Sequence, residues 1–188
     1  MNPTLHVVVV STRDGRAGLP IAQWALERAR AHGAFAAELV DLRDFALPLF
    51  DESRHPRLGQ YERAHTRRWS AKVSEADAFV FVTPEYNYGA PPSLLNAIDY
   101  LAREWHYKPA GFVSYGGASG GTRAVQMAKQ VVTTMRMMPL PEAVAIPFFT
   151  KLLDAEGRFA GEKGFDDAAK VMLDELARWT GALAALRG

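Results

Sequence analysis

The chain has 188 residues, 48% apolar and 23% charged, with 22 basic against 21 acidic side chains, a net charge of +1 and no cysteine. A length near that of one average domain can bury roughly 70% of the unfolded surface, and the composition excludes a disordered tail or a fibrous repeat. The missing cysteines remove disulfides, thiolate nucleophiles, cysteine-ligated zinc and iron–sulfur clusters, while the balanced charge recruits neither nucleic acid nor a membrane surface.

The N-terminus lacks a basic region followed by a long apolar stretch, and no apolar run approaches the ~18 residues of a membrane helix. The expectation is a soluble, cytoplasmic protein with one domain over residues 1–188. Leu5 to Val10 is a continuous β-branched run ended by the polar cluster Ser11 to Gly15, which predicts a strand buried on both faces. A helical pattern follows through Ile21, Trp24, Ala25 and Leu26 to Gly33. Phe35 to Leu42 reads as a second strand, Phe45 to Gly59 as a charged, proline-containing loop, and Tyr61 to Glu75 as a helix. Ala78 to Thr83 is the clearest strand, closed by Pro84. Leu94 to Trp105 reads as a helix entered through Pro91, Pro92 and Ser93.

Ala110 to Tyr115 is a further strand, Gly116 to Gly121 a glycine-dense turn, Thr122 to Met135 a helix and Ala143 to Phe148 a last strand. Phe165, Ala169, Met172, Leu176, Trp179, Leu183 and Leu186 recur every three or four residues, an amphipathic closing helix with Asp166 and Asp167 at its start and Arg187 at its end. Five strands alternating with five helices specify a parallel α/β sheet with crossover helices. In such sheets ligands bind beyond the carboxyl ends of the strands, near the point where strand order reverses. The turns after strands one, three and four are therefore the places for a site.

The first of these turns, Ser11 to Gly18, carries two hydroxyls, Arg13, Arg16 and two glycines just before a helix N-terminus. Backbone amides, the helix dipole and a guanidinium suit a phosphate there; the plainer reading is a polar turn with solvated arginines. Neither a Walker loop nor G-x-G-x-x-G is present. The second, Pro84 to Gly89, places Tyr86, Asn87 and Tyr88 at a strand end, either flanking an aromatic ligand or covering the sheet or a subunit contact. The third has four glycines in six residues, so its backbone can approach a flat ligand closely. It also matches G-x-S-x-G at Gly117, Ser119 and Gly121, but a hydrolase elbow needs its histidine after the serine, and all five histidines precede Ser119. The elbow is rejected. His55 and His65 are too far apart for a helical metal pair, and the arginines from Arg54 to Arg68 are interrupted by acids, which reads as a solvated face or subunit rim.

Taken in order, S-T-R-D-G-R-x-G (Ser11–Gly18), A-D-A-F-V-F-V-T-P-E-Y-N (Ala76–Asn87), P-x-x-L-N-A-I-D-Y-L (Pro92–Leu101) and S-Y-G-G-A-S-G-G-x-R-A (Ser114–Ala124) resemble the NAD(P)H-dependent FMN reductase family. The resemblance covers Val7 to about Phe148. It implies a flavodoxin-like three-layer sandwich, a five-stranded parallel sheet of order 2-1-3-4-5 with helices on both faces. It further implies that Ser11, Arg13, Arg16, Ala17 and Gly18 hold the FMN phosphate, that Pro84, Glu85, Tyr86, Asn87 and Tyr88 line the isoalloxazine with Asn87 on its pyrimidine edge, and that Ser114, Tyr115, Gly116 and Gly117 close its other side. Val10 stands where the family often has glycine, and Arg16 and Gly18 where many members have serine and asparagine.

One FMN would account for all three loops, with the flavin carrying the hydride chemistry and no acid–base pair or metal required of the protein. The resemblance implies a ping-pong reaction in which NADPH or NADH reduces FMN and a small acceptor (a quinone, azo dye, chromate or free flavin) is then reduced. Most of the apolar stripe from Leu94 to Trp105 is expected to pack on the sheet; the resemblance also implies a homodimer or homotetramer, with this helix and its neighbour forming an interface that borders the flavin site. The alternative is a flavodoxin-type electron carrier that does not oxidise nicotinamide; such carriers are usually strongly acidic, which a net +1 fits poorly.

Overall fold

The computed structural model of the chain describes residues 2–187. Five parallel strands, β1 (Thr4–Val9), β2 (Ala36–Asp41), β3 (Ala78–Pro84), β4 (Pro109–Tyr115) and β5 (Met138–Ile146), form one sheet of order β2-β1-β3-β4-β5. This is the flavodoxin-like order. Every residue of β3 and β4 is buried, as their unbroken apolar runs require of strands covered on both faces.

Alternation along β1 sorts the core. Val7 and Val9 face α1 (Gly18–His32) and, through Val113 and Val80, the C-terminal helix; Val8 and Val10 face the opposite layer. The first layer is Ile21, Trp24, Leu26, Met172, Leu173 and Leu176. The second is dominated by Trp69, Trp105, Phe79, Phe81 and Phe112, all at most 1% exposed. After a short helix α2 (Leu42–Phe45), that layer is made by α3 (Ala64–Glu75), α4 (Pro92–Asp99) and α5 (Thr122–Thr134), and the chain closes with α6 (Lys163–Leu183) on the first. Among the described residues no helix is long and apolar enough to cross a membrane.

Several element boundaries differ from the sequence expectation, and four of them have a visible physical reason. The helix expected through Trp105 ends at Asp99, and Arg103–Trp105 is a separate 3-10 turn. Trp105 is drawn under the sheet against Phe79, with ring centroids 5.0 Å apart, and its indole N–H donates to the Ile98 carbonyl at 3.1 Å. Burying a large aromatic side chain contributes about 3 kcal/mol, more than the roughly 1 kcal/mol of each helical hydrogen bond given up. The helix expected from Tyr61 starts at Ala64, because the Glu62 and Arg63 amides donate to the buried Glu52 carboxylate, both at 2.9 Å. The second strand stops at Asp41, whose side chain accepts from the Arg43 amide at 2.9 Å and caps α2. The last strand begins at Met138 rather than Ala143; it tolerates Pro139 and Pro141 because it is an edge strand.

Candidate functional site

The turns after β1, β3 and β4 lie together at the carboxyl edge of the sheet, and direct contacts join them. Ser11, 2% exposed, follows β1; its hydroxyl pairs with the Tyr86 hydroxyl of the second loop at 2.9 Å. Ser93, at the start of α4, fixes the same strand end by donating to the Val10 carbonyl at 2.8 Å. Arg13 is exposed, comes within salt-bridge distance of no carboxylate among the described residues, and sits 5.8 Å from the centroid of the Tyr86 ring. Helix α1 then starts at Gly18 with Ala17 in the cap position, no side-chain cap and no acid in its first turn. Its leading amides and dipole are left for an anion. Gly18 is required by close approach, since a Cβ there would lie 2.7 Å from the Tyr115 hydroxyl.

Arg16 is turned elsewhere. Its guanidinium pairs with Asp41 at the end of β2, the two side chains 9% and 12% exposed, and it donates to the Ser11 carbonyl at 3.0 Å. In this arrangement Arg16 braces the loop from behind while Arg13 faces solvent beside it.

The second loop leaves β3 at Pro84 and turns in a two-residue hairpin. The Tyr86 amide donates to the Gly89 carbonyl at 3.0 Å and the Gly89 amide to the Tyr86 carbonyl at 2.9 Å, with Asn87 and Tyr88 both left-handed at φ 48° and 71°. Asparagine tolerates that region, whereas a tyrosine there stores roughly 1–2 kcal/mol, the kind of strain that concentrates at functional loops. Tyr88 is 73% exposed and is covered by the Arg123 guanidinium, 3.8 Å from its ring centroid.

Glu85 points away from the crevice and joins the second loop to the third. Its carboxylate accepts from Arg123 Nε at 2.7 Å, from the Arg123 amide at 3.1 Å and from the Ser119 hydroxyl at 3.0 Å. Burial pushes its pKa up, yet these hydrogen bonds and the Arg123 charge hold it below the usual glutamate value. Ser119, the centre of the G-x-S-x-G match, is therefore a donor to Glu85 and not a nucleophile. Nothing in the spacing of the sequence announces this link, because Glu85 and Arg123 lie 38 positions apart.

The third loop is held tightly from below and open above. The Ser114 hydroxyl donates to the Gly120 carbonyl at 2.8 Å, and the Gly117 carbonyl accepts from the Phe148 amide at 3.1 Å. Gly121, at φ 84°, presses on β4: a Cβ there would lie 2.9 Å from Ser114 Cβ and from the Tyr115 amide nitrogen. At Gly117 a Cβ would meet nothing within 4 Å. Tyr115, 3% exposed and edge-on to Phe149, has a phenol pushed up by burial and stays protonated.

Ser11, Arg13, Tyr86 and the N-terminus of α1 are thus gathered on one side, and Tyr88, Gly116 and Gly117 border the open part. Arg16, Glu85 and Ser114 turn their polar groups into the scaffold. A separate cavity of about 430 Å³ adjoins the first loop at Thr12 and is lined by Leu42, Leu47, Leu49, Pro92 and Asn96. At the far end of the sheet His6, Glu38 and Glu75 come together with metal-like spacing, but the Lys72 ammonium already bonds both carboxylates.

The chain matches the family model described as NADPH-dependent FMN reductase over residues 3–151. It is 41% identical over 151 residues to an NAD(P)H-dependent FMN reductase of Schizosaccharomyces pombe, covering 78% of this chain and 75% of that protein. It is 34% identical over 148 residues to a quinone reductase of Pseudomonas putida, covering 74% and 76%. Among solved structures it is similar to FerB, a flavoenzyme NAD(P)H:(acceptor) oxidoreductase of Paracoccus denitrificans, with a TM-score of 0.74 at 22% identity over 96% of this chain and 98% of that one. With the three loops assembled at the carboxyl edge of a sheet of this order, the chain belongs to the NADPH-dependent FMN reductase family.

Proposed function

We propose that the chain is an FMN-dependent oxidoreductase that takes hydride from NADPH or NADH and passes it, in a ping-pong sequence, to a small acceptor such as a quinone. The observation that carries the reading is the combination of an uncapped α1 N-terminus, an Arg13 with no carboxylate partner among the described residues, and an open glycine edge at Gly117. These residues fit FMN: a dianionic phosphate needs amide donors and a free guanidinium, and a flat ring system needs backbone without a Cβ in its path.

When bound, the flavin supplies the hydride chemistry, and the protein's part is to bind, orient and shield it. On this reading Ser11, Arg13, Ala17 and Gly18 hold the phosphate. Asn87 and the hairpin backbone address the ring's polar edge, and Gly116 and Gly117 form its opposite wall. Arg16 and Glu85 position these loops without touching the ligand, one by holding the Ser11 carbonyl, the other by tying the hairpin to α5. The quinone reductase likeness supports a quinone as acceptor. Leu49, 82% exposed on the wall of the 430 Å³ cavity, and its neighbour Phe50, 41% exposed, support a homodimer or homotetramer.

The experiment is to purify the protein, record its flavin spectrum, and follow NADPH and NADH oxidation with benzoquinone as acceptor. Parallel double-reciprocal lines are expected. A protein that takes up no FMN would refute the reading, and a yellow protein that oxidises neither nicotinamide would make it an electron carrier instead.

A further inference from the structure

The amino edge of the sheet, opposite the three loops, holds a concentration of positive charge. Two cavities there, of about 670 and 270 Å³, share Arg103, His106 and Arg136 in their walls. The larger is also lined by Lys108, Arg187, Asp77 and Glu104, and the smaller by Arg57. The whole chain carries only +1, yet around the larger cavity two arginines and a lysine join the Arg187–Asp77 pair and a single further carboxylate.

Both carboxylates are already engaged. Asp77 accepts from the Thr4 amide at 2.8 Å and from Arg187 at 3.2 Å. Glu104 accepts from Ser70 at 2.6 Å and from Tyr61 at 3.1 Å. Arg57, Arg103 and Arg136 come within 4.0 Å of no carboxylate among the described residues.

Lys108 is the buried member, 7% exposed. Its ammonium donates to the Val73 carbonyl at 2.9 Å and the Ser74 carbonyl at 3.4 Å in the last turn of α3, and its third N–H has no partner among the described residues. Burial first, then Arg187, lowers its pKa to about 8, with Asp77 and Glu104 opposing. His106 is lowered by burial and then by Arg136, Arg103 and Arg57, against Glu104 alone. Burial leads both shifts, and the neighbouring arginines add to it. The backbone here is also costly: Tyr107 and Arg136 are both left-handed, at φ 59° and 54°. They are locked together by Tyr107 N–H to the Arg136 carbonyl at 2.9 Å and by the Arg136 guanidinium to the Tyr107 hydroxyl at 3.0 Å. That lock holds Arg136 at the cavity wall.

We propose that this edge is a second ligand site, binding a small polyphosphorylated anion through Arg103, Arg136 and Lys108. Guanidinium forks match phosphate oxygens in pairs, and cations spread over two adjoining cavities suit several charges better than one. The seven residues of β4 put it roughly 20 Å from the three-loop crevice, so it does not depend on how the flavin is held.

The test is calorimetric titration of the FMN-loaded protein with inorganic pyrophosphate at matched ionic strength, with orthophosphate and sulfate in parallel. One saturable site is expected, tighter for pyrophosphate than for either single anion. Arg103→Ala combined with Arg136→Asn should weaken it at least tenfold; asparagine keeps the left-handed backbone. Arg103→Lys should retain most of the affinity, and Arg30→Ala, at an exposed position of α1, should change it less than twofold. Heats no larger than the salt blank, equal affinity for all three anions, or an unmoved affinity in the Arg103/Arg136 variant would each overturn the proposal.

Discussion

Two glycines four positions apart in the third loop give the sharpest prediction. Gly121→Ala and Gly117→Ala add the same methyl group to the same loop. At Gly121 the new Cβ would lie 2.9 Å from Ser114 Cβ, the Tyr115 nitrogen and the Tyr115 oxygen, on a residue at φ 84°. The left-handed backbone costs about 1–2 kcal/mol for alanine, and overpacking against backbone a further 1–3 kcal/mol. The sum is about 2–5 kcal/mol. For a chain of 188 residues, at roughly 2–4 °C per kcal/mol, the Tm of FMN-free protein should fall by about 4–20 °C. At Gly117 no atom lies within 4 Å of the added Cβ, so the FMN-free Tm should stay within about 2 °C. The methyl group would instead project where the flavin ring is proposed to lie, and FMN affinity should fall tenfold or more. The assays are thermal melts of the FMN-free proteins and flavin-fluorescence titration. A Gly117→Ala variant that melts normally and binds FMN like the parent would refute the placement of the ring; a Gly121→Ala variant that melts normally would refute the packing argument.

The two arginines of the first loop should separate in the same way. Arg13→Ala should raise the FMN dissociation constant about 10- to 100-fold, from a charge-assisted contact worth roughly 1.5–3 kcal/mol, with little change in FMN-free stability. Arg16→Ala leaves Asp41 without its partner at a largely buried position, and chemical denaturation should show a loss of about 3 kcal/mol before any flavin is added. Equal effects from both would mean that the loop is organised otherwise. Asn87→Gly keeps the left-handed turn and removes only the amide, so flavin affinity or potential should shift while the melting curve does not. A shifted melt with an unchanged flavin would assign Asn87 to the scaffold. His6 is 1% exposed, and its pKa is lowered to about 4, by burial first and by Lys72 and Lys108, against Glu38 and Glu75. Between pH 6.5 and 4 the unfolded chain binds this proton and the folded chain does not, so the stability is present above pH 6.5 and lost as pH falls toward 4. Denaturant titrations across that range should be flatter for His6→Gln than for the parent, and parallel curves would remove His6 from the acid sensitivity.

Much of the architecture was legible because it depends on period and punctuation. Unbroken runs such as Ala78–Thr83 can sit only in a strand covered on both sides, and the sheet indeed buries all of β3 and β4. The strand order followed from the resemblance, whereas the three loops followed from the alternation of strand and helix and the rule that ligands bind beyond strand ends. Element ends were less legible, because distant groups set them: Glu52 holds the Glu62 and Arg63 amides just before α3 from ten and eleven positions upstream, and Trp105 ends α4 by seeking the aromatic layer. Within the site, residue types pointed to the loops, but not to which side chains face the crevice. Arg13 and Arg16 are indistinguishable in sequence and differ in the structure because only Arg16 reaches Asp41.

The sequence alone determined that redox chemistry in this chain would need a carrier other than sulfur, since it has no cysteine, and that any site would lie in loops ending buried strands. It also determined the alternation of strand and helix, because burial on two faces and on one leave different periods in the chain. Tertiary structure alone decided the roles of charged side chains: Glu85 ties the hairpin to α5, Arg16 braces its loop, and Arg103, Lys108 and Arg136 meet at the opposite edge. A charge acts through space at a few ångströms, and only the folded chain sets which charges come that close.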